Sequence, residues 1–437
     1  MEESLKLKKA TYHLYTFMIS KLVSSFGAQV YTFAISFYIL QMTGSATSFA
    51  TNLLCNILPR TLAAPFAGVI TDRYSKKMIV ITSQIATTLT IGGLLLVTLT
   101  SGLSLVSIYI TTCILSLTSM FSGIAFSSSI TSLIDKDRIQ KAMSLNQMSI
   151  SFAAIGSPAV GGLLYGTVSI PVFLVMYMVA SSIAVILEST MDFKLFAKEK
   201  QVVEGEQKET MWQSIKAGIG YLKLQSIIIV VMWMGLLVNF LFGAYEVGYS
   251  YILIEKLNMQ PQHFGFTQGA FSIGMLLMSI YFSVRKEVQF PLLVSKRGIL
   301  AMGVFMGGVG MPLLFPMSYG LMFTYYMVIM FCFGSMLMVV NTPLQVMLQK
   351  TVEDEYKGRV FSVFESMLMA LTPLGMVLYG FLYDFFPAQW VLILSATMLI
   401  VSVLIVVRPS IIRKVYPQME VDKALNEVAV EMSRAKD

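Results

Sequence analysis

The sequence predicts an all-α integral membrane protein with twelve transmembrane helices in two six-helix bundles. The chain of 437 residues is 56% hydrophobic and only 13% charged, whereas soluble domains are about 25% charged. Its apolar residues form long runs that match the thickness of a bilayer. Its basic residues are concentrated in alternate connections between those runs.

The individual spans are identified by length, because crossing the hydrocarbon takes about 20 apolar residues, or more if the helix tilts. The first span follows Lys6, Lys8 and Lys9. It is too long for the core of a signal peptide, which predicts an uncleaved first helix. The predicted spans are 12–42, 46–70, 78–100, 104–126, 140–166, 171–190, 226–254, 264–284, 298–315, 319–346, 359–384 and 388–407.

The distribution of lysine and arginine predicts the orientation of these spans. The connections after spans one, three, five, nine and eleven contain neither residue, and the connection after span seven contains only Lys256. Basic residues accumulate on the cytoplasmic side of membrane proteins. We therefore expect a multi-pass protein of the cell membrane with both termini in the cytoplasm.

A polar stretch of mixed charge, 191–225, divides the spans into six and six. We expect an N-terminal bundle at 1–190, a cytoplasmic linker at 191–225, a C-terminal bundle at 226–408 and a cytoplasmic tail at 409–437. Within the linker, MWQSIKAGIGYLKL alternates apolar and basic residues at helical spacing. This pattern is typical of an amphipathic helix on the inner membrane surface; a plain hydrophilic loop is the alternative.

The sequence lacks the motifs that several classes of function require. Cys55, Cys113 and Cys332 lie in apolar runs without CxxC spacing, and His13 and His263 cannot form a His-rich site, so a disulfide framework or metal site is not expected. The sequence has no phosphate-binding GxxxxGK[ST] motif. The net charge of +7 is not accompanied by a motif that reads nucleic acid. We expect no metal, cofactor, nucleic-acid partner or enzymatic activity.

The stretch GVITDRYSKK at 68–77 resembles the signature of the major facilitator superfamily, G-x-x-x-D-R-x-x-[RK]-[RK], between the second and third helices. Glycine permits close packing of helices, and the lysines hold the loop at the anionic inner leaflet. The resemblance implies that Asp72 faces the positive N-terminal end of helix eleven. A generic basic loop explains the lysines but not Asp72. The predicted conformational-switch residues here are Gly68, Asp72, Arg73, Lys76 and Lys77.

A second stretch, AAIGSPAVGG at 153–162, resembles the fifth-helix signature G-x-x-x-G-P-x-x-G-G that is associated with antiporters. Pro158, Gly161 and Gly162 match, whereas alanine and serine replace two of the glycines. Small residues allow helices to approach, and proline bends the helix. We add these three residues to the predicted switch; a kinked bundle helix without that role is the alternative.

A third stretch, 341–380, is similar to the exporter branch that includes macrolide-efflux proteins and the enterobactin exporter, and 43–60 fits the same branch. The resemblance implies a central cavity and transport by alternating access, and it adds Gly358 and Arg359 to the predicted switch. That branch often has an acidic residue where Ala28 stands here. The matching positions of the third stretch are Asn341, Pro343, Gln349, Gly358, Arg359, Pro373, Gly375 and Gly380.

Polar residues in the second span are candidates for contact with a substrate. Asn52, Asn56 and Arg60 are spaced four apart and therefore share one face of a helix. The resemblance implies that this helix lines the cavity; a structural polar seam between helices is the alternative. The other predicted cavity residues are Asn239, Tyr245 and Asn341.

Acidic residues inside a bilayer are costly and are candidates for function. Glu246 lies ten residues before Lys256, at a depth of about 15 Å. Glu246 and Glu365 are the predicted proton-coupling residues. Glu188 and Asp384 are set aside, because water and headgroups reach acids near span ends.

Each candidate carboxyl group has a structural alternative. Glu365 could form a bridge to Arg60 that holds an inner gate and carries no proton. Glu246 has no basic residue in its own span, so its alternative is a hydrogen-bonded acid that stays neutral.

The function that follows is a proton-coupled secondary active exporter, an antiporter of the drug-efflux type that moves amphipathic organic molecules outward by alternating access. A dedicated exporter of one metabolite, such as a siderophore or lipid, is an alternative. A polytopic membrane enzyme is a remote alternative, because the sequence shows no catalytic cluster. The expected partners of the monomer are a small amphipathic organic substrate, protons and membrane lipids.

Overall fold

The computed structural model of the chain describes residues 2–135, 138–193, 195–196, 220, 226–285, 288–352 and 371–416. Every regular element in these ranges is a helix, and no β-strand occurs in them. The predicted all-α fold is thus confirmed. Most of the predicted linker and of the C-terminal tail lies outside the described residues.

The helices follow the predicted spans closely. In chain order they are α1 (Glu2–Thr43), α2 (Ala46–Arg73), α3 (Lys76–Ser101), α4 (Leu105–Leu133), α5 (Ile139–Thr167), α6 (Ile170–Ser189), α7 (Ser226–Tyr251) with a π-helical turn (Ile252–Lys256), α8 (Pro261–Val284), α9 (Pro291–Val309) with a one-turn helix (Met311–Leu314), α10 (Tyr319–Thr351), α11 (Thr372–Phe385), α12 (Ala388–Val406) and α13 (Pro409–Val415).

The described residues contain nine helices that are long and apolar enough to cross a membrane, judged by length and composition. They are α1, α3, α4, α6, α8, α10, α12, and α7 and α9 with their short extensions. The spans predicted on α2, α5 and α11 are helical in the described residues but do not meet that criterion. The count of twelve therefore stays a prediction.

The ninth helix begins earlier than predicted. The helix starts at Pro291. The prediction placed its start at 298, because Lys296 and Arg297 interrupt the apolar run in the sequence. Proline is well suited to the first turn of a helix, where its missing N–H is not needed. The Nζ atom of Lys296 donates to the carbonyl oxygen of Val407 at 2.6 Å, so this base has a backbone partner at the end of α12.

The turns from α1 to α2 and from α3 to α4 have clear local causes. Gly44 has φ of 62° and Gly102 has φ of 78°, in the left-handed region that glycine adopts without strain. Ser45 then caps α2 by accepting a hydrogen bond from the amide of Ser48. Ser104 caps α4 in a reciprocal capping box. Short, tightly capped turns therefore join α1 to α2 and α3 to α4.

Contacts between residues divide the chain into two compact units. The predicted domain limits at 190, 225 and 408 follow the connections between spans, and they stay predictions. Unit 1 comprises Met1–Glu206, Glu246–Ser272 and Met376–Phe386, and unit 2 comprises Gln207–Tyr245, Ile273–Gly375 and Pro387–Asp437.

A cluster of buried apolar side chains holds together one end of unit 1. The rings of Phe17 and Phe126 lie 4.8 Å apart, and Phe193 packs edge-on against Phe126 at 6.3 Å. These side chains join α1, α4 and the segment after α6. The remaining members come from α1, α3, α4, α5 and the same segment: Leu14, Ile79, Val80, Ala125, Ile130, Leu133, Ile134, Ala142 and Met191.

Helices α5 and α8 approach each other closely within unit 1. A Cβ atom at Gly162 would overlap the carbonyl oxygen of Pro261, and one at Gly265 would overlap the carbonyl oxygen of Pro158. Small residues of this kind let helices pack backbone to backbone in a membrane. The predicted switch residues Pro158 and Gly162 therefore lie in a close helix crossing.

Two further contacts of unit 1 depend on glycine. A Cβ atom at Gly161 would stand 2.9 Å from the ring of Phe33 in α1, and one at Gly380 would stand 2.7 Å from the Cβ atom of Ala50 in α2. Both distances are shorter than normal carbon contacts. Helix α5 is thus packed tightly against α1, and α11 against α2.

The orientation in the membrane can be tested by thiol labelling. With Cys55, Cys113 and Cys332 replaced by serine, a cysteine at the exposed position Lys256 should react with an impermeant reagent added outside the cell. A cysteine at the exposed position Ser75, between α2 and α3, should react only when the reagent reaches the cytoplasm. Labelling of both from one side would contradict the predicted topology.

The crossing of α5 and α8 predicts a difference between two glycines of α8. Gly265→Ala should lower the melting temperature of the purified protein, because overlap with a backbone carbonyl forces the helices apart at a cost of about 1–3 kcal/mol. Gly269→Ala is the matched control one turn away, since no described atom lies within 4 Å of a Cβ there. Equal melting temperatures of the two variants would show that the crossing tolerates a methyl group.

Candidate functional site

A polar cavity of about 380 Å³ lies within unit 1, enclosed by α1, α2, α3, α4 and α6. Its polar lining residues are Lys21, Ser24, Ser25, Tyr31, Thr32, Asn52, Asn56, Arg60, Gln84, Thr87, Thr112, Ser116, Ser119, Ser122 and Tyr177. Its other lining residues are Ala28, Ile35, Leu115, Met120, Gly123 and Ile124.

The predicted polar face of α2 lines this cavity. Asn52, Asn56 and Arg60 are all in its wall. Asn52 is buried, and its Oδ1 accepts a hydrogen bond from the hydroxyl of Thr112 at 2.9 Å. The hydroxyl of Ser116 donates to the backbone carbonyl of Asn56. Asn52 and Asn56 thus line the cavity and also take part in hydrogen bonds between α2 and α4. The cavity wall and the structural polar seam are therefore formed by the same residues.

Two cationic side chains line the cavity, Lys21 from α1 and Arg60 from α2. Arg60 is exposed to the cavity, and within the described residues no hydrogen bond or ion pair involves its side chain. Lys21 is half-buried and interacts electrostatically with Glu188. Among the described residues no aspartate or glutamate lines the cavity.

Glu188 is 1% exposed, although its position near a span end suggested contact with water. Its Oε1 accepts a hydrogen bond from Ser20 at 2.7 Å, and its Oε2 has no hydrogen-bond partner among the described residues. The sequence interpretation therefore misjudged the burial of this acid. Helical spacing alone could not predict this burial, because it depends on which face of α1 packs against Glu188.

The predicted cavity residues of the second half lie in unit 2. Asn239 donates to the carbonyl oxygen of Gly235 in its own helix at 2.8 Å. Tyr245 is buried, its ring stacked on Phe333 at 4.3 Å and its hydroxyl 3.3 Å from the sulfur of Met330. Their contact with a substrate stays a prediction.

Asn341 is exposed on α10 in unit 2. Its contact with a substrate likewise stays a prediction.

Of the two predicted proton-coupling acids, only Glu246 is described. It is half-buried in α7, and no hydrogen bond or ion pair to its side chain occurs within the described ranges. The hydrogen-bonded alternative for this acid therefore has no partner in that part of the chain. Glu365 lies outside the described residues, as does any pairing of it with Arg60.

The 68–77 motif is described in part. The amine of Lys77 donates to the carbonyl oxygens of Ser189 and Met191, both at 2.9 Å. A cation at a helix C-terminus stabilises the exposed carbonyls there, so Lys77 fixes the start of α3 to the end of α6. We had expected this lysine to face lipid headgroups, and sequence reasoning missed its protein partner.

Only part of the predicted switch is described. Gly68, Asp72 and Arg73 belong to the backbone of α2, but the side chains of Asp72 and Arg73 lie outside the described part. Gly358 and Arg359 lie outside it entirely. The role of these residues stays a prediction.

Asp384 caps the N-terminus of α2, a contact that the sequence interpretation missed. Its Oδ1 accepts from the amide of Ala46 at 2.7 Å, and its Oδ2 accepts from the amide of Thr47 at 3.0 Å. The hydroxyl of Ser45 donates to the same Oδ2 at 2.8 Å. A carboxylate at this end of a helix satisfies free amides and interacts favourably with the helix dipole.

The cap completes the hydrogen bonding of the first turn of α2. The amide of Ser45 donates to the hydroxyl of Thr43 at 3.2 Å, and the amide of Ser48 donates to the hydroxyl of Ser45 at 3.2 Å. With the two amides held by Asp384, all four N–H groups that a helix leaves unpaired have partners. The serine-rich turn at 43–48 was a visible signal of a helix start, but the partner in α11 was not.

Removal of this cap should be measurable at single amides. Asp384→Ala should accelerate hydrogen–deuterium exchange of the amides of Ala46 and Thr47, because a lost helix cap costs about 0.5–2 kcal/mol. Glu255→Ala is the control, since its carboxylate approaches Gly44 without bonding to an amide of α2 among the described contacts. Unchanged exchange in Asp384→Ala would mean that the cap is not populated.

The chain resembles solved transporters in fold. It aligns with a bacterial homologue of the iron transporter ferroportin in the inward-facing state with a TM-score of 0.68 and 14% identity, covering 90% of this chain and 98% of that one. It aligns with the nucleoside transporter NupG with a TM-score of 0.66 and 12% identity, covering 91% of this chain and 99% of that one. At such identities the likeness concerns the fold alone.

Sequence comparisons identify the family. Macrolide efflux protein A of Streptococcus pyogenes is 24% identical over 386 residues, which cover 88% of this chain and 93% of that protein. The uncharacterized MFS-type transporter YfiS of Bacillus subtilis is 26% identical over 385 residues, which cover 86% and 87%. The model of the Major Facilitator Superfamily matches residues 17–372. The chain therefore belongs to the major facilitator superfamily and is a multi-pass membrane transport protein.

Proposed function

We propose that this transporter is a proton-coupled exporter, an antiporter that moves an amphipathic organic molecule out of the cell by alternating access. The observation that carries the proposal is the polar cavity inside unit 1, which is enclosed by helices of a membrane transport fold. Polar cavities at membrane depth mark the paths of substrates and ions. We place the protein in the cell membrane as a monomer with both termini in the cytoplasm, as the loop charges predict.

Close contacts within unit 1 support alternating access. The crossing of α5 and α8 at Gly162 and Gly265, and the cap of α2 by Asp384, hold helices of this unit together. By the predicted orientation, the first turns of α2 and α8 lie at the outer side of the membrane. A full transport cycle requires these contacts to break and re-form. An interaction that is present in only one conformational state raises the population of that state.

Coupling to protons requires a group that binds a proton in one state and releases it in another. We assign this role to Glu246, because its carboxyl group has no fixed partner among the described residues. A carboxyl group binds a proton more readily when water is excluded and releases it when water returns. Glu365 is the second candidate, with a structural bridge to Arg60 as the alternative for that residue.

Export of an amphipathic molecule is supported by the relatives. The alignment with macrolide efflux protein A covers 88% of this chain, and the name assigns macrolide efflux to that protein. The apolar part of the cavity wall, which includes Leu115, Met120 and Ile124, suits such a molecule. A dedicated exporter of one metabolite, such as a siderophore or lipid, remains the second candidate within transport.

The coupling role of Glu246 can be tested in proteoliposomes. Glu246→Gln resembles the protonated carboxyl group and holds that state permanently. Exchange of substrate down its own gradient should survive, while a proton gradient should no longer raise the substrate concentration inside the liposomes above its equilibrium level. The experiment compares both modes in the same preparation.

Glu255→Gln serves as the control, because this acid lies in the π-helical turn at the end of the same segment. It should retain proton-driven accumulation. If Glu246→Gln accumulates substrate at the rate and pH dependence of the unaltered protein, Glu246 is not the coupling residue.

A further inference from the structure

The charge of the cavity in unit 1 is one-sided. Lys21 and Arg60 line it, and no acidic residue of the described part of the chain does. Glu188 balances Lys21 electrostatically from outside the wall, where its carboxylate is held by Ser20. Arg60 has no such neighbour in the described residues. Within the described residues, the cavity therefore carries one positive charge, that of Arg60, with no acid to compensate it.

The depth of Arg60 makes this charge significant. The residue lies fourteen positions after the first residue of α2, which is about 21 Å along the helix axis. The hydrocarbon core is about 30 Å thick, so the helix carries Arg60 well into it. A charged side chain at such depth faces water or pairs with an opposite charge. An arginine at this depth that has no partner in the described part of the chain can bind an anion that enters the cavity.

The rest of the wall can complete the binding of an anionic group. A guanidinium group binds carboxylate or phosphate through two parallel hydrogen bonds. Asn56 lies one helical turn from Arg60 on the same face, and Ser119 and Ser122 of α4 also line the cavity. These side chains supply further hydrogen-bond donors.

An apolar group would find its place in another part of the same wall. Ile35, Leu115 and Ile124 contribute aliphatic surface. Tyr31 and Tyr177 stack with their ring centroids 5.3 Å apart and add a flat aromatic surface. A ligand that satisfies both parts of the cavity has an acidic group joined to an apolar body.

We infer that the transported molecule is an amphipathic organic anion whose carboxylate or phosphate group binds Arg60. This inference rests on the proposed function and narrows its substrate class. A cationic compound would add a further positive charge to a cavity that no aspartate or glutamate of the described ranges lines. Ala28 also lines the cavity, so an acid introduced there would reverse this preference.

The test uses two xanthene dyes of similar size and opposite charge, carboxyfluorescein and rhodamine 123. Their binding to the purified protein in phosphatidylcholine nanodiscs is measured by fluorescence polarisation. Carboxyfluorescein should bind at least about tenfold more tightly than rhodamine 123. Arg60→Gln should weaken its binding at least about tenfold, the loss expected for a charge-assisted hydrogen bond, and Arg60→Lys should restore part of it.

Two further variants sharpen the comparison. Ala28→Asp should weaken binding of carboxyfluorescein and strengthen binding of rhodamine 123. Arg297→Gln is the matched control, because Arg297 is an exposed arginine of unit 2 that does not line this cavity, and its binding should be unchanged. Melting temperatures show whether each variant is folded. If Ala28→Asp does not fold, the binding measured for Arg60→Gln decides whether the cavity prefers anions.

A lipid headgroup and a soluble anion would present the same chemistry to Arg60. Replacing part of the phosphatidylcholine by phosphatidylglycerol should leave the affinity for carboxyfluorescein unchanged if the occupant is a soluble anion. Strong competition by phosphatidylglycerol would assign the cavity to a lipid and overturn the inference.

The remaining outcomes separate this inference from the proposed function. Absence of carboxyfluorescein binding, tighter binding of rhodamine 123, or an unchanged preference in Arg60→Gln would overturn the inference. Proton-driven accumulation of rhodamine 123 in proteoliposomes would then leave the exporter intact. Binding of carboxyfluorescein through Arg60 without proton-driven accumulation would retain the anion site and reject proton coupling.

Discussion

Polar groups at membrane depth have no water to bind, so the protein must supply their partners. This constraint accounts for hydrogen bonds between buried side chains of different helices in unit 1. The buried Asn52 of α2 accepts from Thr112 of α4, and the buried Glu188 of α6 accepts from Ser20 of α1. At the helix ends, Lys77 and Asp384 in turn satisfy backbone groups of α6 and α2. Arg60 and Glu246 have no such partner among the described residues, which is why we propose that a substrate and a proton bind there.

The same constraint explains why glycine and serine are placed at helix crossings. Lipid tails are as apolar as leucine, so burial of apolar side chains does not by itself hold helices together within a bilayer. Close approach of backbones and hydrogen bonds between helices take its place. The crossing of Gly162 with Pro261 and the bond from Ser20 to Glu188 are examples of each. Both contacts join residues that are far apart in the chain.

Properties that depend on one helix at a time were predictable from the sequence. The positions of the helices followed from apolar length, and the shared face of Asn52, Asn56 and Arg60 followed from helical spacing, with all three now found in the cavity wall. Properties that depend on pairs of helices were not predictable. Depth along a single span suggested that water reaches Glu188, yet this acid is buried against α1. Asp384 is exposed as expected, but no local pattern indicated that it caps α2. The partner of Lys77 lies 112 residues away from it, beyond any local pattern.

The cap of α2 also links the conformation of the protein to water itself. Any movement that withdraws Asp384 from α2 leaves a carboxylate, two amides and the hydroxyl of Ser45 to be hydrated. Water molecules then take up the hydrogen bonds that the protein gives up, and they behave as ligands of the separated state. Solutes that lower water activity without entering this region would therefore favour the capped arrangement. The osmotic strength of the medium becomes a variable that acts on the conformational equilibrium without touching any substrate.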